Sequence, residues 1–109
     1  MADWLRDRLR NDNIDRRVKT GRNDRGDIAG VKTALGARVV IEAKDHGGSI
    51  LPSTWIKEAE IEAANDDAPI GVVVAKRKGV TDPSQQFALM TVETLCRLLE
   101  GGPDEARFA

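Results

Sequence analysis

The run Ile70-Gly-Val-Val-Val-Ala75 carries no polar side chain at any of its positions. A strand with one wet face alternates apolar and polar residues. A strand without alternation is buried on both sides, so layers must pack over both faces of its sheet. The other clear strand is Arg38-Val-Val-Ile-Glu-Ala-Lys44, in which Val39, Val40 and Ile41 are β-branched. Between the two, Gly47 and Gly48 break the chain at 45–49. Pro52 then suits the start of a helix predicted over 53–65, with Ile56, Ala59, Ile61 and Ala63 as its apolar positions. A strand–helix–strand unit of this length is a parallel crossover.

The remaining segments fill in around this unit. Trp4, Leu5 and Leu9 stand at helical spacing over 3–11. A short strand is predicted over 14–20, with Ile14, Arg16 and Val18 on one side. A polar turn at 21–26 and a second strand at 27–33 follow. After the crossover comes a polar loop at 76–86, then a strand at 87–91. A helix at 92–100 is expected to turn Leu95, Leu98 and Leu99 inward and to stop at Gly101-Gly102-Pro103. The predicted fold is α/β in the order α-β-β-β-α-β-β-α, a mixed central sheet flanked by helices. It forms one domain over 1–103 with a flexible tail at 104–109.

Tyr is absent and aromatics make up 4% of the 109 residues, so the core must be built of Val, Ile, Leu and Ala. So small a core favours a homodimer. Cys96, the single cysteine, lies in an apolar helical pattern and is expected to be a buried thiol. No apolar run approaches the roughly 20 residues of a membrane span, and the first residues lack the apolar stretch of a signal peptide. A cytoplasmic protein is expected, in a bacterium or a phage-infected host.

The formal net charge of −1 does not advertise a nucleic-acid binder, but the charges are segregated. Residues 1–26 hold eight bases against five acids, and Lys76-Arg77-Lys78 forms a second basic run. Residues 57–67 hold five acids against one base.

Glu42 and Lys44 interrupt the end of an otherwise apolar strand, where charge is costly unless paired or metal-bound. Two apart on a strand, they project to one face while Ala43 turns away. If the preceding strand forms a hairpin with this one, Asp27 comes alongside Glu42. Two carboxylates so placed can hold a hard divalent cation, with the backbone carbonyl of Ala43 as a third oxygen. A Glu–Lys pair at a wet strand end is the plainer alternative.

Gly26-Asp27-Ile28 followed by Val40-Ile41-Glu42-Ala43-Lys44 resembles the motif of the PD-(D/E)XK nucleases, with Gly in place of the usual Pro. The element order over 3–75 is similar to the restriction-endonuclease-like core of that superfamily. Arg25-Gly-Asp-Ile-Ala-Gly30, the Ile-Glu-Ala-Lys strand and Trp55-Ile-Lys-Glu-Ala-Glu60 look most like small phage and actinobacterial Holliday junction resolvases. The resemblance implies a DNA endonuclease dependent on Mg²⁺, with Mn²⁺ able to substitute, and no organic cofactor. Asp27 and Glu42 would bind the metal. Lys44 would orient or deprotonate the attacking water or steady the phosphate charge, with a pKa that falls near the metal. Resolvases of this group usually carry a further Glu on the first helix. This chain has none there, which leaves Asp3, Asp7 or Asp12 as substitutes.

Three further acidic or titratable residues are accessory candidates: Glu58, His46 and Asp7. Glu58 and Glu62 share a helix face, which a solvated surface also explains. His46 reads first as a turn-surface residue, and Trp55 as a packing anchor or dimer contact. Arg16, Arg17, Lys19, Arg22, Arg25, Lys76, Arg77 and Lys78 are the candidates for phosphate contacts that do not read sequence. The reading that follows is a homodimeric resolvase acting on branched or four-way DNA. The alternatives are another nicking or end-processing nuclease and a catalytically silent nuclease fold that binds DNA or protein.

Overall fold

The structure is a computed structural model and describes residues 1–17 and 27–102. Its elements are α1 (Ala2–Leu9), β1 (Asp15–Arg16), β2 (Ile28–Ala29), β3 (Val39–Lys44), α2 (Pro52–Asn65), β4 (Ile70–Ala75), a 3-10 turn at Pro83–Gln85, β5 (Phe87–Leu89) and α3 (Val92–Glu100). The five strands form one mixed sheet in the order β1-β2-β3-β4-β5. Only the β3–β4 pair is parallel, and α2 makes the crossover between them. Of the strand expected over 14–20, the described part is Asp15–Arg16, with Val18 outside the described residues; the strand expected over 27–33 shortens to Ile28–Ala29. The expected turn at 21–26 and the tail at 104–109 lie outside the described residues.

Strand parity divides the core. Odd positions of β3 and even positions of β4 (Val39, Ile41, Ile70, Val72) join Ala2, Ile14, Ile28 and Val31 under α1, with Met90 and Leu98 packed against them. On the other face, Val73 and Ala75 pack with Trp55 and Ala59 of α2. Layers on both faces account for the unbroken apolar run in β4. Gly71 permits the close fit: a Cβ there would stand 2.5 Å from the carbonyl oxygen of Ala59. Pro52 opens α2, the Thr91 hydroxyl accepts the Thr94 N–H to start α3, and Gly101 ends α3 in the left-handed region at φ 82°.

Three expectations about packing are corrected. Leu98 packs inward, but Leu95 is 43% and Leu99 78% exposed. Ile61 is exposed on α2, and the Cys96 thiol is exposed rather than buried. In each case helical spacing marked an apolar position, but the sheet covers a narrower stripe of the helix than the spacing offers.

An ion cluster around the buried carboxylate of Asp66 ties the layers together at the start of β3. Asp66, just past the end of α2, accepts from both terminal nitrogens of Arg17 at 3.3 and 3.1 Å and from Arg38 at 2.7 Å. Its side chain is 6% exposed, against 22% for Arg17 and 49% for Arg38.

Candidate functional site

Ile28 pairs with Ile41, and Asp27, the residue just before β2, is bonded to the β3 backbone on either side of Glu42. The Asp27 N–H donates to the Ile41 carbonyl at 3.0 Å, and Asp27 Oδ2 accepts the Ala43 N–H at 2.8 Å. The carboxylate thus takes over a rung of the ladder at the point where β2 begins. Lys44 gives its carbonyl to the N–H of Lys76, beyond β4, so the even residues of this part of β3 bond toward β4. The odd residues bond toward β2, and the Ala43 carbonyl is therefore on the side of Asp27.

Glu42 and Lys44 point to the α2 face. The Glu42 side chain is only 7% exposed, and its Oε2 is buried without a hydrogen-bond partner. The other oxygen, Oε1, lies 3.6 Å from Lys44 Nζ, beyond hydrogen-bond length. The pair at the strand end is therefore buried rather than wet: an ion pair at 3.6 Å that leaves one carboxylate oxygen without a hydrogen bond, an arrangement that costs free energy. Lys44 Nζ is 2.6 Å from Glu58 Oε2, on α2. The Glu58 hydrogen bond, with the negative charges of Glu42, Glu58 and Glu62 added, outweighs partial burial and raises the Lys44 pKa above its ordinary value. The expected fall is not found in the chain by itself, and Lys44 is a fixed positive charge at neutral pH.

Around this centre the accessory candidates separate. Glu58 and Glu62 both face the β3 charges, and Glu62 is buried rather than solvated. His46 packs its ring on Trp55, centroids 5.0 Å apart, and Trp55 is a buried anchor. Helix α1 lies on the opposite face of the sheet. Asp7 on it is exposed, Asp3 pairs with Arg6 and Asp12 is exposed past the helix, so none of the three joins Glu42 on the α2 face. Among the described residues no group of three or more His, Cys, Asp or Glu side chains is arranged to hold a metal ion. Asp27, Glu42 and the Ala43 carbonyl are the residues that would supply the donors. That set is all oxygen and suits a hard divalent cation, and the orphaned Oε2 of Glu42 fits one.

The basic candidates also divide. Arg17 is committed to Asp66. Lys76 donates to the carbonyls of Arg77 and Val80 in its own loop. Arg77 stacks on Phe87, 4.7 Å from the ring centroid, and donates to the Gln85 carbonyl. Arg16 and Lys78 are exposed, and the Lys78 side chain abuts Gly48 in the loop that follows β3. Lys19, Arg22 and Arg25 lie outside the described residues. Two hollows of about 350 and 290 Å³ adjoin Ala43. The first is bordered by Arg16, Arg17 and Asp27, the second by Lys44, Asp45 and Lys76.

The Asp66 cluster was not foreseen. Its members are 49 and 28 positions apart, and no local pattern links them. No helix among the described residues is long and apolar enough to cross a membrane. No protein-family model, curated protein or solved structure matches this chain.

Proposed function

We propose that the protein is a structure-specific DNA endonuclease with a restriction-endonuclease-like core, a Holliday junction resolvase that uses Mg²⁺. The observation that carries this reading is Glu42, a buried carboxylate with an unmet oxygen, between the two β3 residues whose backbone Asp27 bonds and two residues from Lys44.

Phosphodiester hydrolysis needs a positioned water and neutralisation of the charge that grows on the phosphate. Asp27, Glu42 and the Ala43 carbonyl are the residues that would hold the cation, whose chemistry there is charge neutralisation and a lowered pKa for water. Lys44, protonated and held at the edge of the site, adds a second positive charge toward the phosphate. Arg16 and Lys78 supply exposed charge on either side of β3 for neighbouring phosphates, contacts that hold the backbone without reading bases. Such an enzyme works where DNA is, in a bacterial or phage-infected cytoplasm.

The reading includes a homodimer, since a four-way junction has approximate two-fold symmetry. Support comes from the exposed side of α3. Val92 (75% exposed), Leu95 (43%), Cys96 and Leu99 (78%) repeat with a spacing that is the same in both directions about the midpoint of residues 95 and 96. A two-fold axis at that midpoint sets Val92 against the partner's Leu99 and Leu95 against the partner's Cys96. A second copy is therefore the occupant this stripe matches.

The test is cleavage of a labelled four-way junction with Mg²⁺, beside a linear duplex of the same sequence, for wild type and Glu42→Gln. Paired symmetric cuts in the junction alone, reduced at least 100-fold in Glu42→Gln, are expected. Cutting of both DNAs would leave a nuclease that is not a resolvase. Cutting of neither, with Mn²⁺ also tried, would leave a binding module.

A further inference from the structure

Lys44 stands between two carboxylates at unequal distances. Its ammonium is at 2.6 Å from Glu58 Oε2, a charge-assisted hydrogen bond, and at 3.6 Å from Glu42 Oε1, which is not one. Glu58 is 43% exposed and sits on α2, so it holds the lysine from outside the sheet. Glu42 is buried at the floor. Lys44 and Glu42 are neighbours on one face of β3, and nothing in the backbone keeps their charged ends apart. Without the Glu58 carboxylate, the nearest acceptor for the ammonium among the groups around it is Glu42. A lysine closed onto Glu42 would itself be the cation that satisfies the buried oxygen.

We propose that Glu58 is a positioning residue that draws the Lys44 ammonium off Glu42 and so keeps the Glu42 carboxylate open to a divalent cation. This rests on the cation-binding part of the reading above. It adds a division of labour: Glu42 holds the cation, Glu58 holds the lysine, and the strength of the second contact sets how well the first is available. The role does not require Glu58 to touch the cation or the DNA.

The experiment is calorimetric titration of the purified full chain with Mn²⁺, without DNA, for wild type, Glu42→Gln, Glu58→Ala, Lys44→Met and the Glu58→Ala/Lys44→Met double variant. Circular dichroism checks that each is folded, and the half-exposed position of Glu58 makes its truncation mild. Glu58→Ala is expected to weaken Mn²⁺ binding about tenfold, the low end of what losing a supporting residue costs a metal site. In the Lys44→Met background the same change is expected to cost less than twofold, because no ammonium remains to compete. A merely structural Glu58 would weaken binding equally in both backgrounds. So would a Glu58 that binds the cation directly, and either result overturns the proposal, as does an unchanged affinity in Glu58→Ala. If wild type and Glu42→Gln bind Mn²⁺ alike, the cation reading of the site has failed and this inference falls with it. If they differ and only the Glu58 comparison fails, the site stands without this device.

Discussion

Asp66→Ala should be among the most damaging single substitutions in this chain, and its cost can be worked from the geometry. The Asp66 carboxylate is 6% exposed and accepts three hydrogen bonds, two from Arg17 and one from Arg38. The Arg38 side chain is 49% exposed, so its share is that of a surface pair, at most about 1 kcal/mol. Arg17 differs. Its side chain is 22% exposed, and its Nε is already buried without a partner. Removing Asp66 leaves that guanidinium uncompensated, and breaking a buried pair from one side costs about 3–5 kcal/mol. Some water reaches Arg17, which favours the low end, so the total expected loss is about 3–4 kcal/mol. For a domain of this size, at about 4–8 °C per kcal/mol, Tm should fall by about 12–30 °C. Urea unfolding followed by Trp fluorescence measures it, since Trp55 is 2% exposed when folded. Adding Arg17→Met removes the stranded charge and should return more than half of the loss. A loss under 1 kcal/mol, or no recovery in the double variant, would refute the view that Arg17 belongs to the fold. The same view requires that Arg17→Met leave the salt dependence of DNA binding unchanged.

Two further outcomes are expected. Arg16→Ala and Lys78→Ala should each weaken binding to branched DNA and lower the slope of log affinity against log salt by about 0.9, measured by fluorescence anisotropy; an unchanged slope would remove that residue from the phosphate contacts. If α3 forms the proposed two-fold interface, Leu99→Glu should sediment as a monomer where wild type sediments as a dimer in analytical ultracentrifugation, with little loss of fold, because Leu99 is 78% exposed. A wild type that sediments as a monomer at micromolar concentration would end the two-fold reading of α3.

The parts of the fold that were legible in the sequence are those set by local pattern. The unbroken run at 70–75 and the stretch at 39–44 required a buried parallel pair, and Gly47, Gly48 and Pro52 placed the break and the helix between them. What was not legible depended on how much of a helix its neighbour covers. Leu95, Leu98 and Leu99 look alike at helical spacing, and only packing on the sheet separates Leu98 from the other two. Ion pairing was equally hidden: Arg17 and Arg16 are adjacent and chemically identical, yet one is locked to Asp66 and the other is exposed.

The candidate site shows why its residues were nonetheless conspicuous. A charged residue inside an apolar strand contradicts the local rule for that strand, and such contradictions concentrate where a chain gives up stability for chemistry. Glu42 is the first Glu in the sequence and falls at the one place on β3 where the fold buries a carboxylate and leaves an oxygen unmet. Lys44, two residues on, stays within ion-pair range of Glu42 but gives its hydrogen bond to Glu58. The unmet oxygen, the lysine bonded to Glu58 and the Asp27 contacts on either side of Glu42 are three separate features, and the cation proposed above would account for all of them.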